Sequence, residues 1–134
     1  YYSTSGTSHC TEYPSLPLKE LLKVADVVSI HAPLNERTRG LIGEDELGLM
    51  KPSAFLVNAG RGGIVDEAAL ARAVDEGTIA GAALDVFAIE PLPSDSPLLK
   101  VSHSQRLRFS PHIAWASVEA RDRLVRQIAE SIYL

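Results

Sequence analysis

The chain has 134 residues, 46% of them hydrophobic and 22% charged, with a formal net charge of −4. That suffices for one ordinary globular domain with a core of its own, and the negative balance without a basic stripe argues against a nucleic-acid partner. No apolar run approaches the ~20 residues of a membrane span, and the single cysteine, Cys10, cannot build a disulfide framework, which suits a reducing compartment and makes the cytoplasm the default.

The segment Tyr1-Tyr2-Ser3 opens without Met and reads as the end of a strand, so the chain is expected to start inside a larger fold. Residues 4–15, rich in Ser, Thr, Gly and Pro, form a loop in which His9 is a surface residue and Cys10 a passive one. Pro17 suits the first turn of a helix with an apolar face of Leu18, Leu21, Leu22 and Ala25. Residues 26–31 are a β-branched buried strand stopped by Pro33. Glu44, Asp45 and Glu46 open a short helix that Lys51-Pro52 ends.

Residues 54–58 are the next strand. Asp66 then caps a helix whose inner face is Leu70, Ala73 and Val74, and Gly77 closes it. A strand over 79–87, a proline-rich loop over 88–104 and a strand over 105–109 follow. Ser117 can cap a last helix in which Leu124, Val125, Ile128 and Ile132 recur at helical spacing. Its apolar stripe runs to the end, so the helix is expected to pack on something beyond this chain. Arg121, Arg123 and Arg126 alternate there with Glu119, Asp122 and Glu130, as on a solvated face of mixed charge. Strands alternating with helices predict an α/β fold with a parallel sheet and crossover helices.

In such a sheet, ligands bind in the crevice outside the carboxyl ends of the strands. Arg61, Glu90 and His112 each follow a predicted strand, so a guanidinium, a carboxylate and an imidazole are expected to converge. Together they can hold a carboxylate, polarise a carbonyl and move a proton. Arg61 lies in the turn Asn58-Ala59-Gly60-Arg61-Gly62-Gly63, where glycines permit a close backbone approach and Arg offers a planar, bidentate grip. The plainer alternative is a tight turn with a surface Arg. Asp85, inside a predicted strand, needs a hydrogen-bonding partner, either a ligand amide or a backbone donor. Glu90 either orients a histidine or is a solvated loop acid. His112 is a proton donor or a structural loop cap. His31 is structural, or sets the backbone against a cofactor, and His103 is a surface residue. The four histidines lack metal-ligand spacing and have no Cys pair beside them, so no metal is expected. No Gly-x-Gly-x-x-Gly phosphate cradle occurs.

Four ordered motifs carry a resemblance. They are His31-Ala32-Pro33-Leu34 with Thr38-Arg39-Gly40-Leu41-Ile42; the Asn58–Gly63 turn; Ala83-Leu84-Asp85-Val86-Phe87 with Glu90-Pro91; and Pro111-His112-Ile113-Ala114. In this combination the chain, from about residue 16 onward, resembles the D-isomer-specific 2-hydroxyacid dehydrogenase family. Trp115 with Glu119-Ala120-Arg121 is similar to its glycerate dehydrogenase and hydroxypyruvate reductase branch.

The resemblance implies a Rossmann-like, doubly wound parallel sheet, here incomplete because the first βαβ unit with its glycine-rich loop is missing. Residues 1–115 would be the C-terminal portion of a dinucleotide-binding domain, and 116–134 the helix leading back to an absent substrate domain. It implies hydride transfer between NAD or NADP and a small 2-hydroxy or 2-keto acid such as glycerate or hydroxypyruvate, by a homodimeric parent enzyme. Arg61 would bind the substrate carboxylate and polarise the carbonyl, and His112 would be the acid and base and would also touch the cofactor. Glu90 would pair with His112 and keep it protonated. Ala59, Gly60 and Arg61 would line the nicotinamide side, Asp85 would accept from the carboxamide, and Ala32, Pro33 and Thr38 would lie along the cofactor path. Where NAD enzymes place a ribose-binding acid, this chain has Tyr2-Ser3-Thr4. Ser3 and Thr4 would tolerate a 2′-phosphate, which leaves NAD and NADP both open. The isolated chain is expected to be inactive. An NAD(H)-sensing transcriptional corepressor of the same family, and a degenerate or split-gene product, are the alternatives.

Overall fold

A computed structural model of the protein describes residues 1–7 and 12–132. His9 and Cys10 lie outside the described residues. In chain order the elements are α1 (Leu18–Val24), β1 (Val27–Ile30), α2 (Glu44–Leu49), β2 (Phe55–Asn58), α3 (Glu67–Asp75), β3 (Gly81–Leu84), β4 (Leu107–Phe109) and α4 (Val118–Ile132), with 3₁₀ turns at Pro97–Lys100 and Ser104–Arg106.

Local chemistry sets most of these boundaries. Asp66 caps α3 by accepting from the amides of Ala68 and Ala69, both at 2.9 Å. Gly77 leaves that helix at φ +74°, a conformation costly for a side-chain-bearing residue. Ser117 Oγ accepts from Ala120 N at 3.1 Å and so caps α4.

The four strands form one parallel sheet in the order β1-β2-β3-β4. Val28, Leu56, Ala82 and Leu107 align across it, and Ile30, Asn58, Leu84 and Phe109 align one pleat further on. The buried members of these rows pack with Leu22, Leu47, Leu70 and Val74 from α1, α2 and α3 into one core. This is the expected Rossmann-like α/β architecture. Among the described residues, however, helices cover only one face. Val27 and Phe55, on the opposite face, are 58% and 50% exposed. A parallel sheet ordinarily buries both faces, so the second winding of the expected fold is not supplied by these residues. The stripe Leu124, Val125, Ile128 and Ile132 on α4 is exposed as well.

Three strand predictions need correction, the smallest change being that the strand expected over 105–109 starts at Leu107 because Ser104–Arg106 is a 3₁₀ turn. Residues 1–3 form no strand. The Tyr1 amino group donates to Pro14 O, and Leu16 N donates to Tyr1 O, so the segment closes on 14–16 instead of joining the sheet. The strand expected over 79–87 is regular only over Gly81–Leu84. Asp85 N still donates to Asn58 O, but beyond it the chain turns away into a loop built by side chains. The long loop 88–104 is also partly ordered, since Ser96 caps the 3₁₀ turn that buries Leu98 in the core.

Candidate active site

The Arg61 turn is built from β2 outward. Asn58, buried at the strand's end, donates from Nδ2 to Arg61 O at 3.0 Å and accepts on Oδ1 from Gly60 N at 3.1 Å. One amide thus fixes both ends of the turn. Gly60 lies on the exit of β1, where an added Cβ would sit 3.0 Å from Ala32 O. Gly62 lies on the exit of β3, where an added Cβ would sit 1.7 Å from Phe87 O, well inside contact distance. The turn is therefore wedged between its neighbours by two glycines. Arg61 itself is exposed and donates from Nη1 to Gly60 O at 2.7 Å. A guanidinium has five N–H donors, and among the described residues no carboxylate pairs with this one.

Beyond β3 and β4, two loops lock together. Asp85 Oδ1 accepts from Ser110 Oγ at 2.5 Å and from Ile113 N at 2.9 Å, and Oδ2 accepts from Ala114 N at 2.8 Å. Burial raises the Asp85 carboxyl, but the hydrogen bonds from Ser110, Ala114 and Ile113, helped by the nearby His112, outweigh it and leave the group below its ordinary value. In this structure Asp85 therefore holds the His112 loop. It lies just past the strand rather than within it, and its partners come from its own chain.

His112 has φ +56°, the left-handed region that non-glycine residues seldom occupy. Such a conformation persists only where its surroundings over-determine it. Here Asp85 grips the next two amides, and Trp115 Nε1 donates to His112 O at 2.9 Å. The ring meets Glu90, with Nδ1 2.8 Å from Oε2. Glu90 Oε1 accepts from Phe87 N at 3.0 Å, and that amide first, then the histidine, holds the carboxyl below its ordinary value. An ionised carboxylate only accepts, so Nδ1 carries the hydrogen and Nε2 is the ring atom left for a substrate.

A trough runs along β1 and past its exit. One cavity of about 1160 Å³ runs along α1 and the edge strand β1, walled by Leu18, Leu21, Val27 and Val28, and reaches Ser3, Thr4, Ala32 and Pro33. A second, of about 580 Å³, is lined by His31, Ala32, Pro33, Leu34, Ala59, Gly60 and Arg61. They share His31, Ala32 and Pro33 and so adjoin. Thr38 lines neither cavity. It is fully buried, donates to Pro33 O at 2.7 Å and accepts from Asn35 N at 2.8 Å, so it shapes the loop from behind. His31 accepts or donates at Nε2 with Ser29 Oγ at 2.8 Å while bordering both cavities. Sequence reasoning assigned Asn58 no role of its own, and it marked Gly62 only as one of the turn's permissive glycines and Trp115 only as a subfamily feature. For Asn58 the available signal was a buried amide at the junction of a strand and a glycine turn. Among the described residues no three His, Cys, Asp or Glu side chains are grouped to hold a metal ion.

Residues 1–114 match the model of the D-isomer specific 2-hydroxyacid dehydrogenase, NAD binding domain. The chain belongs to the D-isomer-specific 2-hydroxyacid dehydrogenase family. A glyoxylate reductase of Korarchaeum cryptofilum is 49% identical over 117 residues, which are 87% of this chain and 34% of that protein. The crystal structure of the TT0316 protein from Thermus thermophilus superposes with a TM-score of 0.77 at 42% identity, over 88% of this chain and 37% of that one. A D-lactate dehydrogenase from Aquifex aeolicus, complexed with NAD and lactic acid, superposes with a TM-score of 0.74 at 30% identity, over 90% and 40% of the two chains. The chain thus spans about a third of the length of the curated relatives it matches.

Proposed function

We propose that this chain is the catalytic half of the nucleotide domain in an oxidoreductase that interconverts small 2-keto and D-2-hydroxy acids with NAD or NADP. The observation that carries the reading is the Glu90–His112 pair at 2.8 Å, held at the same end of the sheet as the unpaired Arg61. Reduction of a 2-keto acid builds negative charge on a carbonyl oxygen beside an existing carboxylate. Arg61 supplies a forked cation to both groups. His112, with Nδ1 held by Glu90, gives the proton at Nε2 to the carbonyl oxygen and recovers it in the reverse direction. The nicotinamide, when bound, supplies or takes the hydride.

An elongated dinucleotide is proposed to lie along the trough. The two adjoining cavities run from Ser3 and Thr4 past Ala32 and Pro33 to Ala59, Gly60 and Arg61. Hydroxyls rather than a carboxylate at residues 3 and 4 keep NADP as acceptable as NAD. Glyoxylate and hydroxypyruvate are the substrates of choice, and a homodimeric enzyme of the cytoplasm belongs to the same reading.

The test is consumption of NADH or NADPH by the full-length protein with glyoxylate or hydroxypyruvate. Turnover is expected with at least one acid, and Arg61→Gln is expected to lower kcat/KM by about 10²-fold or more. Tight binding of the reduced nucleotide without turnover of either acid would contradict the reading.

A further inference from the structure

We infer that Glu67 is a positioning residue, which sets Glu90, and through it His112, from the first turn of α3. Glu67 is the first residue of the helix that follows the Arg61 turn, and its Oε1 accepts from Ala88 N at 2.6 Å across 21 residues of sequence. The neighbouring amide, Phe87 N, is taken by Glu90 itself at 3.0 Å. Two carboxylates therefore hold two consecutive amides of one loop, while the Phe87 carbonyl rests against Gly62. The second carboxylate continues to His112 at 2.8 Å.

Arg61 and His112 leave strands that lie two apart in the sheet. The contacts from Gly62 and Glu67 to residues 87 and 88 tie the Arg61 side to the Glu90 side. Ala88 is exposed, so Glu67 rather than burial protects its amide. An acid in the first turn of a helix also favours the helix dipole, but a dipole effect does not depend on the side chain reaching Ala88.

The inference rests on Glu90 and His112 being the proton-handling pair, and its test reads geometry alone, without cofactor or turnover. Glu67→Gln keeps the reach and an acceptor oxygen but removes the charge. Glu67→Asp keeps the charge but withdraws the oxygen by one methylene. Amide exchange at Ala88 and the carboxyl titration of Glu90 are followed by NMR in both variants of the chain. The expected result is that Glu67→Asp speeds Ala88 exchange by about tenfold or more and moves Glu90 up toward its ordinary value of 4.5, while Glu67→Gln leaves both close to wild type. Wild-type behaviour in Glu67→Asp with a perturbed Glu67→Gln would overturn the inference and reduce Glu67 to a helix-dipole charge. Loss of dehydrogenase activity in the full-length protein by itself would bear only on the proposed function.

Discussion

Asparagine in place of His112 in the full-length protein is expected to lower kcat for 2-keto acid reduction by about 10²–10⁴-fold. Binding of the reduced nucleotide should change little, because the residues lining the two cavities belong to the N-terminal segment, α1, β1 and the loops after β1 and β2, and none to the His112 loop. Asparagine tolerates the left-handed backbone that His112 adopts, so the loop should survive the substitution. That separates loss of the proton donor from loss of the fold. Glu90→Gln should cost less, roughly tenfold, since the amide still reaches Nδ1 but no longer enforces the Nδ1–H form of the ring. Steady-state kinetics with a parallel nucleotide titration check both. Equal losses in kcat and nucleotide affinity for His112→Asn would mean that the loop had collapsed instead.

The largest structural effect is expected at Gly62. A methyl group there would lie 1.7 Å from the Phe87 carbonyl oxygen and 2.7 Å from Ala88 N, both backbone atoms that no rotamer change can move. Gly62→Ala must push the Arg61 turn off the Glu90 loop, at a cost of about 3 kcal/mol or more. Gly48→Ala is the matched control. It lies within α2 with nothing within 4 Å of its added Cβ, and should be neutral or stabilising by roughly 0.5–1 kcal/mol. Denaturant unfolding of the two variants against the parent chain measures the contrast. Similar midpoints for Gly62→Ala and Gly48→Ala would contradict the wedged turn.

What could be read without coordinates followed the range of the forces involved. Asp66 and Gly77 act on atoms within a turn of themselves, and the helix between them lies where those signals put it. The Val-Val-Ser-Ile and Phe-Leu-Val-Asn runs became strands because β-branched and aromatic residues suit a pleated, half-buried surface. The first was expected to be buried on both faces, but only Val28 and Ile30 of it are buried. The end of β3 was not legible. Composition continues strand-like to Phe87, but the chain leaves the ladder after Asp85, and Glu90 and Glu67 take the amides of Phe87 and Ala88. Tyr1-Tyr2-Ser3 looked like a strand on composition alone, yet a strand needs a neighbour, and the segment pairs with a loop instead.

The site divided the same way. That Asp85 required partners follows from burying a carboxylate. That those partners are Ser110, Ile113 and Ala114, 25 to 29 residues away, is a tertiary fact. Thr38 shared a motif with residues of the trough, but its hydroxyl serves the loop behind them. Trp115 marked a subfamily in the sequence, and in the fold its indole fixes the carbonyl of His112.

At this site a hydride and a proton are expected to reach the two ends of one carbonyl. This is tested most directly by incubating the full-length protein with hydroxypyruvate and a reduced nicotinamide cofactor deuterated at the transferable C4 position, then recording the product by NMR. The expected product is D-glycerate carrying deuterium at C2, formed by the wild type and lost in His112→Asn. Product without deuterium at C2, or undiminished labelled product from His112→Asn, would contradict it.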